Sequence, residues 1–167
     1  MARHIELNPS PHLTIGAIGE PGNRTFYLQG GRGEQTISLV IEKEQAAALA
    51  LNFDSLLREL DEKYPAPSVS RQQEGAIMRD MRLREPIQPL FRVGNMGLGY
   101  NEDTDQVVLI AYELVDEAAG EEPNVVSYWV TREQVRLLVA HTENIVRRGR
   151  FFDPGVQFAP KRNGHVG

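Results

Sequence analysis

The chain has 167 residues, a formal net charge of −5 and no cysteine. That length suits one domain able to bury its own core, and the missing cysteines exclude thiol nucleophiles, disulfides, zinc ribbons and iron–sulfur ligation. Met1–Pro11 has no apolar stretch, and no run approaches the eighteen or so apolar residues of a membrane helix, so the expectation is a soluble, cytoplasmic protein without membrane partners.

In chain order, Leu13–Gly19 and Thr25–Gln29 read as strands, separated by the turn Glu20-Pro21-Gly22-Asn23. Gly30-Gly31-Arg32-Gly33 reads as a second turn, because glycine accepts positive φ. Thr36–Ile41 is β-branched and apolar, and a helix follows it with Ala46, Leu49, Leu56 and Leu57 on one face. Tyr64-Pro65-Ala66-Pro67-Ser68 ends that helix and opens a linker, in which Arg71–Arg84 is expected to form a short helix with Ala76, Ile77, Met81 and Leu83 apolar. Then come a strand from Phe91, a polar hairpin turn at Asn101–Asp105, a strand Gln106–Glu113, an acidic loop Asp116–Asn124 and a strand from Val126. A second amphipathic helix carries Val135, Leu138, Ile145 and Val146, and an irregular tail with Phe151, Phe152 and Phe158 closes the chain.

These elements repeat. Placing Ser38 on Ser127 aligns two strands, each ending in Glu-Gln (Glu44-Gln45, Glu133-Gln134), and puts the apolar positions of the two helices in register without a gap. Upstream, Leu13–Gly19 aligns with Phe91–Gly97 as apolar-Gly-any-apolar-Gly, placing Gly16 on Gly94. A lone three-stranded sheet with one helix leaves an apolar face uncovered, and two copies can cover each other. The expected fold is α+β: two repeated βββα units, 12–64 and 90–150, forming an intramolecular pseudo-dimer with an antiparallel sheet and two packed helices. One domain then spans 1–167, with a linker at 65–89 and the tail at 151–167.

Motifs that carry chemistry are sparse. Gly94-Asn95-Met96-Gly97-Leu98-Gly99 has the wrong order for a dinucleotide fingerprint and precedes a strand where a phosphate loop needs a helix, so strand bends or bulges explain these glycines better. Glu102, Asp103 and Asp105 could serve a small metal-dependent enzyme, but they lack the glycine and terminal glutamate of a calcium loop, and a solvated turn accounts for them. His4, His12, His141 and His165 form no ligand pair, and Ser38 and Ser127 sit mid-strand, away from any nucleophile elbow. Catalytic residues, metal ligands and cofactors are accordingly not assigned. Residues 132–167 hold seven basic residues against three acidic ones, among them Arg147, Arg148, Arg150, Lys161 and Arg162. With Gly94, Gly97 and Gly99 they form the candidate binding set for an anionic ligand, although basic residues at a helix C-terminus also simply complement its dipole.

Phe26-Tyr27-Leu28-Gln29, Ser38–Leu49, Phe91-Arg92-Val93-Gly94-Asn95-Met96-Gly97-Leu98-Gly99-Tyr100 and the ending Asp153-Pro154…Pro160-Lys161-Arg162-Asn163-Gly164 resemble an uncharacterised bacterial family of unknown function. The resemblance covers nearly the whole chain. In that family it implies a C-terminal Cys-x-x-Cys followed by a His and a Cys, similar to a zinc knuckle; here that pair is absent and Gln157 and Ala159 stand at the other two positions, so no zinc function transfers. The tail phenylalanines are expected to anchor it by apolar packing instead. The repeated sheet-then-helix units are also similar in architecture to PUR/Whirly-type single-strand nucleic-acid binders, with Tyr27, Tyr100, Tyr112, Tyr128 and Trp129 as rings for stacking. Adjacent Tyr128 and Trp129 must face opposite ways, and Lys and Arg are nearly missing from the strands, which weighs against that function. The favoured expectation is a non-catalytic binding or adaptor domain whose partner is a protein or a small anion.

Overall fold

Alternation of apolar and polar residues builds most of the strands, and in the computed structural model, which describes residues 2–65 and 80–151, they join into one sheet. Strands β1 (His4–Leu7), β2 (His12–Glu20), β3 (Asn23–Arg32) and β4 (Gln35–Ile41) precede helix α1 (Lys43–Lys63). Strands β5 (Pro89–Asn101), β6 (Gln106–Glu113) and β7 (Val125–Val130) precede helix α2 (Arg132–Phe151). The seven strands lie in the order β1-β7-β6-β5-β4-β3-β2. The sheet is mixed rather than antiparallel: β4 pairs parallel with β5, and β1 parallel with β7. The long excursion through α1 returns the chain to start β5 beside β4 in the same direction, the geometry that crossover connections favour.

The sheet curls back on itself. Its two ends, β1 and β2, are consecutive in the chain and joined by Asn8–Pro11. Tyr128 of β7 reaches Gly30 of β3 across the interior: a Cβ on Gly30 would lie 2.3 Å from the Tyr128 ring. The inward residues Leu13, Ile15, Leu28, Leu39, Leu109, Tyr128 and Val130 form one core with Ala46, Leu49, Phe53 and Leu57 of α1 and Val135, Leu138 and Val146 of α2. The two helices pack on each other, and α2 also lies on β2.

Several expectations change. Gly30 and Gly31 are buried strand residues, not a turn, because the Tyr128 ring and the Gln35 carbonyl leave no room for side chains there. The turn falls at Gly33, where φ is 62°. Strand β1, four residues long, carried no readable pattern and exists because β7 offers it an edge. Residues 80–84 of the expected linker helix are not helical and run across β2 and β3; the rest of that helix falls on 66–79, outside the described residues. So does the tail beyond Phe151, with its proposed apolar anchor on Phe152 and Phe158.

The turn at Asn101–Asp105 forms as expected, with the Asn101 carboxamide oxygen accepting from the Asp103 and Thr104 amides. The acidic loop closes on a single 3-10 turn at Glu117–Ala119, capped by Asp116. Pairing also corrects the upstream alignment. With Ser38 on Ser127, the ladder runs Leu39–Leu28–Ile15 in one half and Tyr128–Leu109–Leu98 in the other. Gly16 therefore matches Gly99, not Gly94. Gly94 sits instead at a bulge where β5 leaves β4 for β6, and a Cβ there would lie 3.1 Å from the Leu114 Cα.

Candidate functional site

Three polar centres stand out from an otherwise apolar fold. The first lies on the outer face of β2–β4, where Thr14, Gln29 and Ser38 align across the three strands and His12 stands two residues before Thr14 on the same face. Gln29 is fully buried: its amide donates to Ser38 Oγ (2.9 Å) and the Arg84 carbonyl (3.0 Å), while Oε1 accepts from the Arg84 amide (2.7 Å). Because that oxygen also meets His12 Nε2 at 3.0 Å, the ring nitrogen donates there. Burial lowers the His12 pKa below its ordinary value against that hydrogen bond, with the Arg84 charge also lowering it. Thr14 Oγ1 donates to the Met81 carbonyl at 2.6 Å, and Leu83 covers Gly16. Every hydrogen-bonding position of Gln29 is thus used, and the centre fastens residues 81–84 to the sheet as a strap.

The second centre surrounds Arg132, the first residue of α2, whose side chain is 4% exposed. Its Nε donates to Asp105 (2.9 Å), Nη1 to Asp61 (3.1 Å) and Nη2 to the Tyr100 hydroxyl (3.1 Å). Tyr100 donates in turn to Asp105 at 2.7 Å and stacks at a tilt beside Tyr64. Arg136 holds both oxygens of Asp61. Burial by itself would raise the Asp61 pKa, but Arg136 and Arg132 outweigh it and hold the carboxyl below its usual range. This arrangement is self-satisfied, with two carboxylates facing two guanidinium groups, and it locks α1 to α2.

The third is a cavity of about 360 Å³ at the start of α1, where Arg24 of β3, Lys43 of α1 and Arg92 of β5 meet. Glu42 and Glu44 also line it, and Glu42 pairs with Arg92. The Lys43 ammonium is buried. Arg24 sits over the Phe26 ring (5.0 Å) and donates to the Ile145 carbonyl at 3.2 Å. Several cations around a concave surface in an acidic chain make an anion site electrostatically reasonable, since a shaped pocket concentrates the local field.

The sequence-proposed binding residues do not gather at one place. Gly94, Gly97 and Gly99 are spaced along β5, with Gly94 on a cavity beside Glu113 and Leu114. Arg147 lines a different one, an interhelical groove beside Ala47 and Leu51. Arg148 and Arg150 belong to α2 without described side chains, and Lys161 and Arg162 lie outside the described residues. Asp105 of the proposed metal cluster is committed to Arg132 and Tyr100. Among the five aromatic residues considered for base stacking, Tyr128 and Tyr100 face the core, Trp129 donates to Glu6 on the outer face, and Tyr27 and Tyr112 also face outward. Arg24, Lys43 and Arg92 were not singled out, although an arginine in an otherwise cation-poor strand was the available signal.

No curated protein and no solved structure matches the chain. A family model described as "Protein of unknown function (DUF3090)" matches residues 5–166. The chain therefore belongs to that family of proteins of unknown function.

Proposed function

We propose that the protein is a non-catalytic binding domain, cytoplasmic, built from two repeated βββα units paired as an intramolecular pseudo-dimer, and that it holds a small anionic molecule in the Arg24/Lys43/Arg92 cavity. The observation that carries the ligand class is the meeting of those three cations at one cavity, in a chain whose net charge is −5. Two features support the pseudo-dimer. Leaving β1 aside, the element order reads βββα twice. Gln45 and Gln134 occupy the same helical position, and each reaches the chain at or just before the other unit's first strand, Gln45 to the Val93 and Gly94 carbonyls and Gln134 to those of Ser10 and Pro11. Reciprocal contacts of this kind are what a two-fold relation between units produces.

The test is a thermal-shift series at constant ionic strength with inorganic phosphate, pyrophosphate, citrate and a labelled oligonucleotide. The expected result is stabilisation by at least one small anion, reduced in Arg92→Ala. No stabilisation by any anion would overturn the reading. Salt-dependent oligonucleotide binding unaltered in Arg92→Ala would overturn it too, in favour of a nucleic-acid surface elsewhere.

A further inference from the structure

The two helices do not fill the seam between them evenly. In the register that places Ser38 on Ser127, Phe53 of α1 falls on Thr142 of α2, Leu57 on Val146, Ala50 on Val139 and Ala47 on Arg136. One end of the seam thus carries Phe53, Leu57, Val139 and Arg136, and the other the smaller Thr142, Val146, Ala50 and Ala47. At the smaller end lies a groove of about 400 Å³, lined by Ala47, Ala50, Leu51, Thr142 and Val146, with Glu143 and Arg147 beside them. Leu51 is 68% exposed there. Thr142 is wholly buried, yet its hydroxyl has no hydrogen-bond partner among the described residues. An exposed apolar wall beside an unmet buried hydroxyl marks a surface built to be covered.

We propose that the chain's own C-terminal segment, residues 156–160, lies in this groove, with the Phe158 ring taking the place that Phe53 fills at the other end of the seam. Directly after α2, Asp153-Pro154-Gly155 is a reversal signal, with proline preset for the first central position of a tight turn and glycine for the second. Beyond it Val156, Phe158 and Pro160 alternate with Gln157 and the small Ala159, which sets three apolar side chains on one face of an extended chain. The lengths agree. Phe158 lies three residues past Gly155, about 10 Å back from the turn in an extended chain. Val146 and Thr142 lie five and nine residues before Phe151, about 8 and 14 Å back along the helix. The charges fall in matching order as well. Arg147 is nearer the end of α2 than Glu143, while Asp153 precedes the apolar run and Lys161 follows it. A carbonyl of the extended segment is also the acceptor that the Thr142 hydroxyl lacks. This site is separate from the Arg24/Lys43/Arg92 cavity, and neither needs the other.

The chain has no cysteine, so a pair introduced into the full-length protein reports its own proximity. Ala47→Cys/Phe158→Cys is oxidised under mild conditions and followed by non-reducing gel mobility and mass spectrometry. The reference is Gly97→Cys/Phe158→Cys, whose second thiol stands on β5 where nothing lies within 4 Å. An intramolecular disulfide is expected in the Ala47 pair, forming about tenfold faster or more than in the Gly97 pair. Thr142→Phe, which fills the groove with a ring of its own, is expected to slow that cross-link by a similar factor; Leu51→Lys serves should Thr142→Phe fold poorly. Phe158→Asp in the otherwise native chain is expected to lower Tm by about 2–6 °C. Equal rates in the two cysteine pairs, cross-linking unchanged by the groove variants, or Phe158→Asp melting like the wild type would each overturn the proposal. A disulfide formed only between chains would overturn it too, in favour of a second copy's tail in the groove.

Discussion

Gln45 and Gln134 do the same two jobs at the same position of their helices. Each uses its side-chain oxygen to accept the backbone amide that opens its own helix, Glu42 at 2.7 Å and Thr131 at 3.0 Å. Each uses its amide to hold a pair of carbonyls in the other half of the chain, Val93 and Gly94 or Ser10 and Pro11. The repeated Glu-Gln of the sequence is thus a helix start signal that doubles as the clasp between halves. Gln134 is buried and Gln45 half-buried. Gln134→Ala is accordingly expected to cost about 2–3 kcal/mol and Gln45→Ala about 1–2 kcal/mol, because buried carbonyls left unpaired carry the larger penalty. Urea unfolding of the two variants measures the order; equal costs would show that the deeper burial of Gln134 adds nothing to the penalty.

The contact between Gly30 and Tyr128 decides whether the sheet can close. Any β-carbon at Gly30 would collide with the ring, which is held in place with its hydroxyl donating to the Ile37 carbonyl. Gly30→Ala is expected to destabilise by about 3 kcal/mol or more, and Gly30→Ala/Tyr128→Leu to recover part of the loss. Gly97 meets nothing within 4 Å, so Gly97→Ala is expected to be neutral or stabilising by about 0.5–1 kcal/mol. Chemical denaturation of the three variants separates these outcomes.

Arg132 joins three elements through Asp61, Asp105 and Tyr100. Removing it in Arg132→Met leaves two carboxylates and a hydroxyl without their shared donor, with an expected cost of about 2–4 kcal/mol. The pH dependence has a definite sign. Asp61 is held below its ordinary pKa in the folded state, so its contribution is complete above that ordinary value and is lost as pH falls toward the lowered one. Acid titration of stability below about pH 4 should therefore be shallower in Arg132→Met/Arg136→Met than in the wild type.

His12 titrates the strap. Its pKa is lowered by burial, so the unfolded chain binds this proton more readily than the folded one. Stability is then expected to fall as pH drops below about 6.5, by at most about 1.4 kcal/mol per pH unit, until the folded-state pKa is reached. The sign is opposite to that of a histidine gaining a carboxylate partner. In His12→Asn the slope in this window should flatten, and NMR titration of the ring reads the pKa directly; an ordinary value would refute the burial argument. The hydrogen-exchange protection factor of the Arg84 amide, which donates to Gln29, should fall as pH drops through the same range in the wild type.

What the sequence determined by itself is local. Strand alternation, the two Glu-Gln helix starts and the apolar helix faces are set by neighbours within a few residues, and Ala46, Leu49, Leu57, Val135, Leu138 and Val146 are all buried, with Leu56 and Ile145 partly so. The reading of Gly94 as a bend was also legible, because a glycine between apolar strand residues has few other uses. Tertiary structure decided the rest. Gly30 looks like part of a turn until a ring from a strand nearly a hundred residues away requires its hydrogen. Strand β1 has no pattern of its own and acquires its structure from β7. Arg24, Lys43 and Arg92 are far apart in the chain, and only the curled sheet, with β4 laid parallel to β5, brings them to one cavity. Pairings between distant segments depend on the energy of the whole fold and leave little trace in any one stretch, which is why the helix starts and apolar helix faces could be read from residues and the candidate site could not.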